Sequence, residues 1–171
     1  MKKTIVLTGM MGVGKSTVGN LLSTKIGLKF KDVDTIIEKK LSLSVKEIFN
    51  IKGESFFREI EEKQTIELLK SNNLILALGG GAFLNKNLRE MIKKYSISIW
   101  LDLSIKRLFE RTKKNDKRPL LKNVKTQKEL EKLYNQREEF YSLADYKINC
   151  NFKTRDQIVN EIKKIYEDNK N

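Results

Sequence analysis

The chain has 171 residues, which is enough for one well-buried domain and too few for two ordinary ones. Hydrophobic residues make up 39% of it, which excludes a disordered chain, and no apolar run approaches the roughly 18 residues that cross a bilayer. The net charge is +13, but only seven of the 35 basic residues are arginine and the lysines are scattered, which argues against a nucleic-acid-binding surface.

Two further features of the composition narrow the chemistry. There is no histidine, so a general base must be a carboxylate, lysine, tyrosine or cysteine, and Ser–His and metal–His mechanisms are excluded. The one cysteine, Cys150, cannot form an internal disulfide, which is typical of a reducing compartment. The N-terminal apolar run is too short for a signal peptide. We therefore expect a cytoplasmic protein, and a monomer, because no apolar stripe remains for a partner.

Short apolar runs alternate with segments of helical periodicity along the whole chain. The predicted strands are residues 4–8, 30–34, 74–78, 97–101 and 146–150. The predicted helices are residues 16–26, 35–41, 45–49, 54–70, 84–94, 104–112, 128–143 and 154–168. Strands separated by helices predict one α/β domain over residues 1–171, a three-layer sandwich in which a five-stranded parallel sheet has helices on both faces. Ligands are expected at the carboxyl ends of its strands.

One segment interrupts this alternation. Residues 113–126 are strongly charged, contain the only proline, Pro119, and show neither period. Because long loops inside compact domains are usually functional or disordered, we predict a lid over about residues 112–126. Arg118 within it is placed to close on a transferring phosphoryl group.

The strongest motif is GMMGVGKS at residues 9–16, which fits G-x-x-x-x-G-K-[ST] after a strand and at the start of a helix. The glycines let backbone N–H groups face the phosphates of a nucleotide, and the helix adds its positive end. Lys15 would bridge the β- and γ-phosphates, and the Ser16 hydroxyl would bind Mg²⁺. The alternative is a glycine-rich turn with an unrelated lysine.

The acid that usually helps to hold Mg²⁺ is missing from the end of the 74–78 strand, which runs into Gly79, Gly80 and Gly81. Asp32 and Asp34 are the obvious substitutes. Because alternate residues of a strand share a face, the predicted strand 30–34 would point both carboxylates the same way. The alternative is a pair of solvated loop acids. The glycine triplet would let a ligand approach bare backbone, or it is only a flexible strand exit.

Arginine positions are informative in a chain that prefers lysine four to one. Arg137 falls at helical spacing among mostly apolar residues over 130–144, so we expect it to face inward and to need an anion, from a ligand or from an internal acid. Arg58 is less clear, because Glu54 and Glu62 lie four residues to either side and would explain it as a surface ion pair.

In this order and spacing, the motifs resemble the shikimate kinase family from about residue 3 to residue 166. The residues that carry the resemblance are GMMGVGKST at 9–17, DVD at 32–34, IF at 48–49, GESFFR at 53–58, GGGA at 79–82, RPLL at 118–121, and Arg137 with Tyr141, Ala144 and Asp145. The resemblance implies the P-loop NTPase fold of the nucleoside monophosphate kinase type. It also implies ATP-dependent phosphorylation of the shikimate 3-hydroxyl, which yields shikimate 3-phosphate for chorismate and aromatic amino acid biosynthesis.

The same resemblance implies roles for individual residues. It makes Lys15, Asp34 and Arg118 catalytic, and gives Mg²⁺ the ligands Ser16 and Asp32. The implied ATP-binding residues are Gly12, Val13, Gly14, Lys15, Ser16, Thr17, Arg111, Arg118 and Arg155. The implied shikimate-binding residues are Asp34, Arg58, Gly80, Gly81 and Arg137. The substrate-binding segment would run from about residue 32 to residue 62.

Two other classes of function stay open at this point. The first is another small-molecule P-loop kinase, such as a gluconate kinase or a nucleoside monophosphate kinase. A nucleoside monophosphate kinase would need a base-binding pocket and a lid richer in arginine. The other class is a non-catalytic nucleotide-binding or nucleic-acid-binding module, against which Lys15, Ser16, Asp34 and Arg118 argue.

Overall fold

The computed structural model describes residues 4–112 and 126–169, in which five strands form one sheet with every neighbouring pair parallel. In chain order the strands are β1 (Thr4–Thr8), β2 (Lys29–Asp32), β3 (Leu74–Ala77), β4 (Ser96–Asp102) and β5 (Tyr146–Asn149). The order across the sheet is β2-β3-β1-β4-β5, so β1 is central. The chain first adds strands on one side of β1 (β2 and β3) and then on the other (β4 and β5). In sheets of this kind, ligands bind where the strand order reverses in this way.

Helices connect the strands, as parallel pairing requires. They are α1 (Lys15–Ile26), α2 (Val33–Leu41), α3 (Val45–Lys70), α4 (Lys86–Tyr95), α5 (Ile105–Thr112), α6 (Gln127–Tyr141) and α7 (Arg155–Asp168), with a short 3₁₀ turn at Ala82–Leu84. Every residue of β1 and β3 is buried, which requires cover on both faces of the sheet. The predicted α/β sandwich with a five-stranded parallel sheet is therefore confirmed.

One predicted boundary is wrong in a way that matters for the site. β2 was expected to run to Asp34, but it ends at Asp32, which caps α2 by accepting a hydrogen bond from the backbone N–H of Thr35 at 3.3 Å. Asp34 thus lies in the first turn of a helix and not on a strand. The argument that the carboxylates of Asp32 and Asp34 share one face of a strand fails for that reason.

The helices predicted at 45–49 and 54–70 form one element, α3, with a kink at Gly53. Gly53 has φ 85° and ψ 167°, a conformation that is open in practice only to glycine, and both flanking segments are helical. The kink keeps the two segments on different axes.

Among the residues that the structure describes, no helix is both long enough and apolar enough to cross a membrane.

Candidate active site

The loop between β1 and α1 has the backbone shape that its glycines predict. Gly9, Gly12 and Gly14 all have positive φ, at 131°, 83° and 107°. Gly14 is also the N-cap of α1 and, having no side chain, leaves the first N–H groups of the helix without a side-chain cap. This arrangement of exposed N–H groups and a helix N-terminus is suited to phosphate.

Lys15 lies under this loop and is 7% exposed. Its ammonium group donates hydrogen bonds to the carbonyls of Gly9 at 2.7 Å and Met10 at 3.0 Å. The lysine therefore ties the first turn of α1 to the beginning of the loop. A phosphate bound there would meet both the ammonium and the backbone donors.

Ser16 and Asp32 lie together at the start of α1 and the end of β2. The Ser16 hydroxyl donates to a carboxylate oxygen of Asp32 at 2.6 Å. A hydroxyl beside a carboxylate is the kind of oxygen pair that holds Mg²⁺ together with the phosphates of a nucleotide. Asp34 does not join them, since it borders a different cavity next to the glycine triplet.

A cavity of about 280 Å³ opens beside the phosphate-binding loop. Arg111 enters it from α5 and donates to the carbonyl of Val13 at 3.1 Å, while Arg155 enters from the start of α7. The structure thus brings Arg111 and Arg155 together with Gly12, Val13, Gly14 and Thr17, as expected. Cys150 also lines this cavity, and burial raises the pKa of its thiol to about 11, so the thiol stays protonated.

A second region, which we call the acceptor pocket, lies at the carboxyl end of β3. It is a cavity of about 30 Å³ between the phosphate-binding loop, α2, α3 and the glycine triplet. Its lining combines apolar and charged side chains with bare backbone: Met11, Asp34, Val45, Phe49, Phe57, Arg58, Glu61, Gly79, Gly80 and Gly81. A ring that carries hydroxyl and carboxylate groups matches this mixture.

Glu61, which the sequence analysis did not single out, is the central acid of the acceptor pocket. It is 1% exposed, and its carboxylate accepts from Nη1 of Arg58 at 2.6 Å. Burial raises its pKa to about 7; Arg58 and Arg137 lower the pKa of this carboxyl, and Asp34 raises it. The available signal was its spacing, three residues after Arg58 and four after buried Phe57, which puts all three near one face of α3.

Arg58 takes its partners from α3, though not the pair that its spacing predicted. Its Nε and Nη2 both donate to Glu54, at 3.2 and 3.0 Å, and its other partner is Glu61. The predicted partner Glu62 turns instead to the side-chain amides of Asn85 and Asn87. The guanidinium also lies over the rings of Phe49 and Phe57, with its central carbon 5.8 and 5.4 Å from the ring centroids.

Arg137 faces inward, as its helical spacing predicts. It is 4% exposed and donates to the carbonyl of Gly80 at 3.2 Å, and the hydroxyl of Tyr141 donates to the same carbonyl. Among the described residues, its Nε has no hydrogen-bond acceptor. Arg137 borders a cavity of about 340 Å³ that continues from Arg58 and Glu61 toward Asn85. A buried guanidinium that borders open space is a site for an anion.

The glycine triplet makes room for these charged side chains. A Cβ on Gly79 would lie 2.3 Å from Glu61 Oε1 and 2.8 Å from Asp34 Oδ1, and a Cβ on Gly81 would lie 2.4 Å from Arg58 Nη2. Glycine is therefore favoured here because charged side chains approach the backbone, a reason that the sequence analysis did not give. Arg118 and most of the predicted lid lie outside the described residues; Thr112 ends α5 and Thr126 caps α6.

The two regions adjoin. Met11, from the phosphate-binding loop, lines the acceptor pocket, and its backbone nitrogen would lie 3.4 Å from a Cβ on Gly80. A parallel sheet, a glycine loop that leads into a helix, and a buried lysine under that loop define the class of P-loop nucleotide-binding proteins. The neighbouring arginines and acids suit a small anionic acceptor.

Comparison with known proteins gives the family. The family model described as shikimate kinase matches residues 11–167. Shikimate kinases of Sulfurihydrogenibium sp. and Persephonella marina are 42% and 45% identical to the chain, over 94% of it and over 95% and 96% of their own lengths. The chain belongs to the shikimate kinase family, and it is an ATP-dependent kinase that phosphorylates a hydroxyl group of shikimate.

Solved structures agree with this assignment. A shikimate kinase from Acinetobacter baumannii in complex with shikimate superposes with a TM-score of 0.92 at 33% identity, covering 98% of this chain and 94% of that one. A gluconokinase from Sinorhizobium meliloti shares the fold, with a TM-score of 0.59, at only 15% identity. The shikimate kinase interpretation is thus supported over the gluconate kinase alternative.

Proposed function

We propose that the acceptor pocket and the phosphate-binding loop act as one active site, in which the 3-hydroxyl of shikimate meets the γ-phosphate of ATP near Met11 and Gly80. The observation that carries this proposal is the buried Arg137, whose Nε has no acceptor within residues 4–112 and 126–169 although the side chain is 4% exposed. An anionic substrate can supply a counter-charge to this guanidinium from the adjoining cavity of about 340 Å³. The contact between Met11 and Gly80 supports placing that substrate next to the γ-phosphate.

On the acceptor side, Arg58 and Arg137 bind the carboxylate of shikimate, and Gly80 and Gly81 contact the ring through their backbone. Asp34 orients the 3-hydroxyl and accepts its proton as the oxygen attacks the γ-phosphorus of ATP, so that ADP leaves and shikimate 3-phosphate forms. Phosphoryl transfer has a loose transition state, so positioning and neutralisation of charge supply most of the rate. In this assignment the substrate-binding segment runs over about residues 32–62.

On the nucleotide side, residues 12–17 bind the phosphates of ATP, and Lys15 bridges the β- and γ-phosphates. Ser16 and Asp32 fit Mg²⁺, because they place a hydroxyl and a carboxylate 2.6 Å apart beside the loop. When bound, Mg²⁺ neutralises charge on the phosphates. Arg111 and Arg155 flank the adenine, and Arg118, which lies outside the described residues, is the third arginine of the proposed ATP site.

The same proposal covers the setting of the enzyme. A single cysteine that is buried and protonated fits a reducing cytoplasm. We propose a monomer, because the sequence leaves no apolar stripe for a partner.

A coupled assay of ADP release tests the proposal. With ATP and Mg²⁺, the protein is expected to turn over shikimate and to show no turnover with gluconate, AMP or CMP. Asp34→Asn is expected to lower kcat about 100-fold or more with a smaller change in the KM for shikimate, since it removes the proton acceptor and keeps the shape. Turnover of gluconate in preference to shikimate, or full kcat in the variant, would overturn the assignment.

A further inference from the structure

The edge of Arg58 that best binds a carboxylate is already occupied within α3. A guanidinium binds a carboxylate best through two adjacent N–H groups, and the edge formed by Nε and Nη2 is one such pair. Both atoms of that edge donate to Oε1 of Glu54, at 3.2 and 3.0 Å. Nη1 donates to Glu61 at 2.6 Å. Three of the five donors of Arg58 are therefore used within α3 itself.

The two glutamates hold Arg58 in different ways. The Glu61 side chain is 2% exposed, so it cannot leave Arg58 without burying an unpaired charge. The Glu54 side chain is 53% exposed and can turn into solvent at little cost. Glu54 also directly follows Gly53, at the first position after the kink in α3. Glu61 is thus the fixed partner of Arg58, and Glu54 is the exchangeable one.

We propose that Glu54 is an internal competitor of the substrate: its carboxylate occupies the Nε–Nη2 edge of Arg58 in the empty enzyme, and the carboxylate of the acceptor displaces it on binding. This inference rests on the proposed role of Arg58 as a clamp. Glu54 borders the same 340 Å³ cavity as Arg58 and Arg137, so the displaced side chain and the incoming carboxylate meet over the same guanidinium. Analogues of the acceptor that lack its carboxylate have no charge with which to compete against Glu54, so they cannot displace Glu54 from Arg58.

The size of the effect follows from the exposure of the pair. Half-exposed ion pairs within a helix contribute little, so the competition raises the KM for shikimate by about 2- to 5-fold. Glu54→Gln is expected to lower the KM for shikimate about threefold, to leave the KM for ATP unchanged, and to keep kcat within a factor of two. A residue that merely supported Arg58 would change the KM in the opposite direction when removed.

Two further variants separate direct competition from a general effect of charge. Glu59→Gln removes a charge from an exposed position of the same helix and is expected to leave both KM values unchanged. In an Arg58→Met background, Glu54→Gln is expected to have no effect on shikimate affinity measured by titration calorimetry, because the contested guanidinium is gone. A change that persists in this background acts through the electrostatic field and overturns the inference.

The outcomes are distinct. If the wild-type protein turns over shikimate and Glu54→Gln leaves its KM unchanged or raises it, Glu54 is not a competitor and only this inference fails. If the wild-type protein neither binds nor turns over shikimate, the proposed function fails and this inference fails with it.

Discussion

The nucleotide half and the acceptor half of the site are built in opposite ways. The phosphate-binding loop is contiguous, with its donors within residues 9–17, and it works mainly through backbone N–H groups and one buried lysine. The acceptor half draws Asp34 from α2, Arg58 and Glu61 from α3, and Arg137 from α6, which contacts Gly80 across 57 positions of sequence. A local motif therefore specifies the first half, and tertiary packing specifies the second.

This difference determines which substitutions each half of the site tolerates. The loop depends on backbone shape, so most of its side chains can change while its donors remain. The acceptor half depends on a balance of buried charges, in which Glu61 faces Arg58 and Arg137. Removing one member of such a balance leaves another uncompensated, which costs more than the lost contact alone.

Arg137→Lys tests the acceptor half most severely. Lysine keeps the charge, but all its N–H donors lie on one nitrogen, whereas a guanidinium presents parallel donors from two nitrogens. We therefore expect kcat/KM for shikimate to fall about 100-fold with an unchanged KM for ATP. Steady-state kinetics with each substrate varied in turn provides the measurement.

Arg107→Lys is the matched control for that substitution. Arg107 lies on α5, where its guanidinium stacks on Phe152 at 5.1 Å, and its replacement should leave both kinetic constants near those of the wild type. An Arg137→Lys enzyme with kcat/KM within a factor of three of the wild type would remove Arg137 from the substrate clamp.

Glu61→Gln tests the charge balance through stability. The pKa of Glu61 is raised from 4.5 to about 7 in the folded protein, so between these values the folded state binds more protons than the unfolded state and wild-type stability falls as pH rises. The variant lacks this titration. We expect the wild-type free energy of unfolding, relative to the variant, to drop by about 2 to 3 kcal/mol from pH 4.5 to pH 7.

Urea unfolding at several pH values measures this difference, and Glu59→Gln provides a control at an exposed position of the same helix. Parallel pH profiles for wild type and Glu61→Gln would show that the carboxyl of Glu61 does not titrate in this window.

Asp32→Asn gives the smallest effect and tests the nucleotide half. Asparagine caps a helix about as well as aspartate, so α2 keeps its N-cap while the charge next to Ser16 is lost. We expect the Mg²⁺ concentration for half-maximal activity to rise about 10-fold, with an unchanged KM for shikimate. An unchanged Mg²⁺ requirement would place Asp32 in the cap alone.

Local signals predicted most of the fold and the shape of the phosphate-binding loop. The strands of the sheet are short apolar runs between helical segments, and the glycine loop requires no knowledge of distant contacts. Arg137 was predicted to face inward because helical spacing is also a local property. These predictions succeeded because the chain next to each residue carries the information.

The predictions that failed depended on where other elements pack. Asp34 was placed on a strand, yet α2 begins at Val33, because the Asp32 side chain caps a helix at the point where the strand pattern still continued. Glu61 was missed because it is one of several glutamates on α3, and its spacing from Arg58 and Phe57 did not by itself show that it is buried. Only the packing of α3 against the glycine triplet reveals it.

The kink at Gly53 has a consequence for how this enzyme can change over evolutionary time. A Cβ there would have no atom within 4 Å, so replacement is opposed by backbone torsion and not by crowding. On one side of the kink, Val45 and Phe49 form a wall of the acceptor pocket. On the other side, Arg58 and Glu61 provide charged groups of the same pocket. Because Arg58 also lies over the ring of Phe49, Val45 is the wall residue that can change size without disturbing the ion pair of Arg58 and Glu61, as long as this glycine is retained.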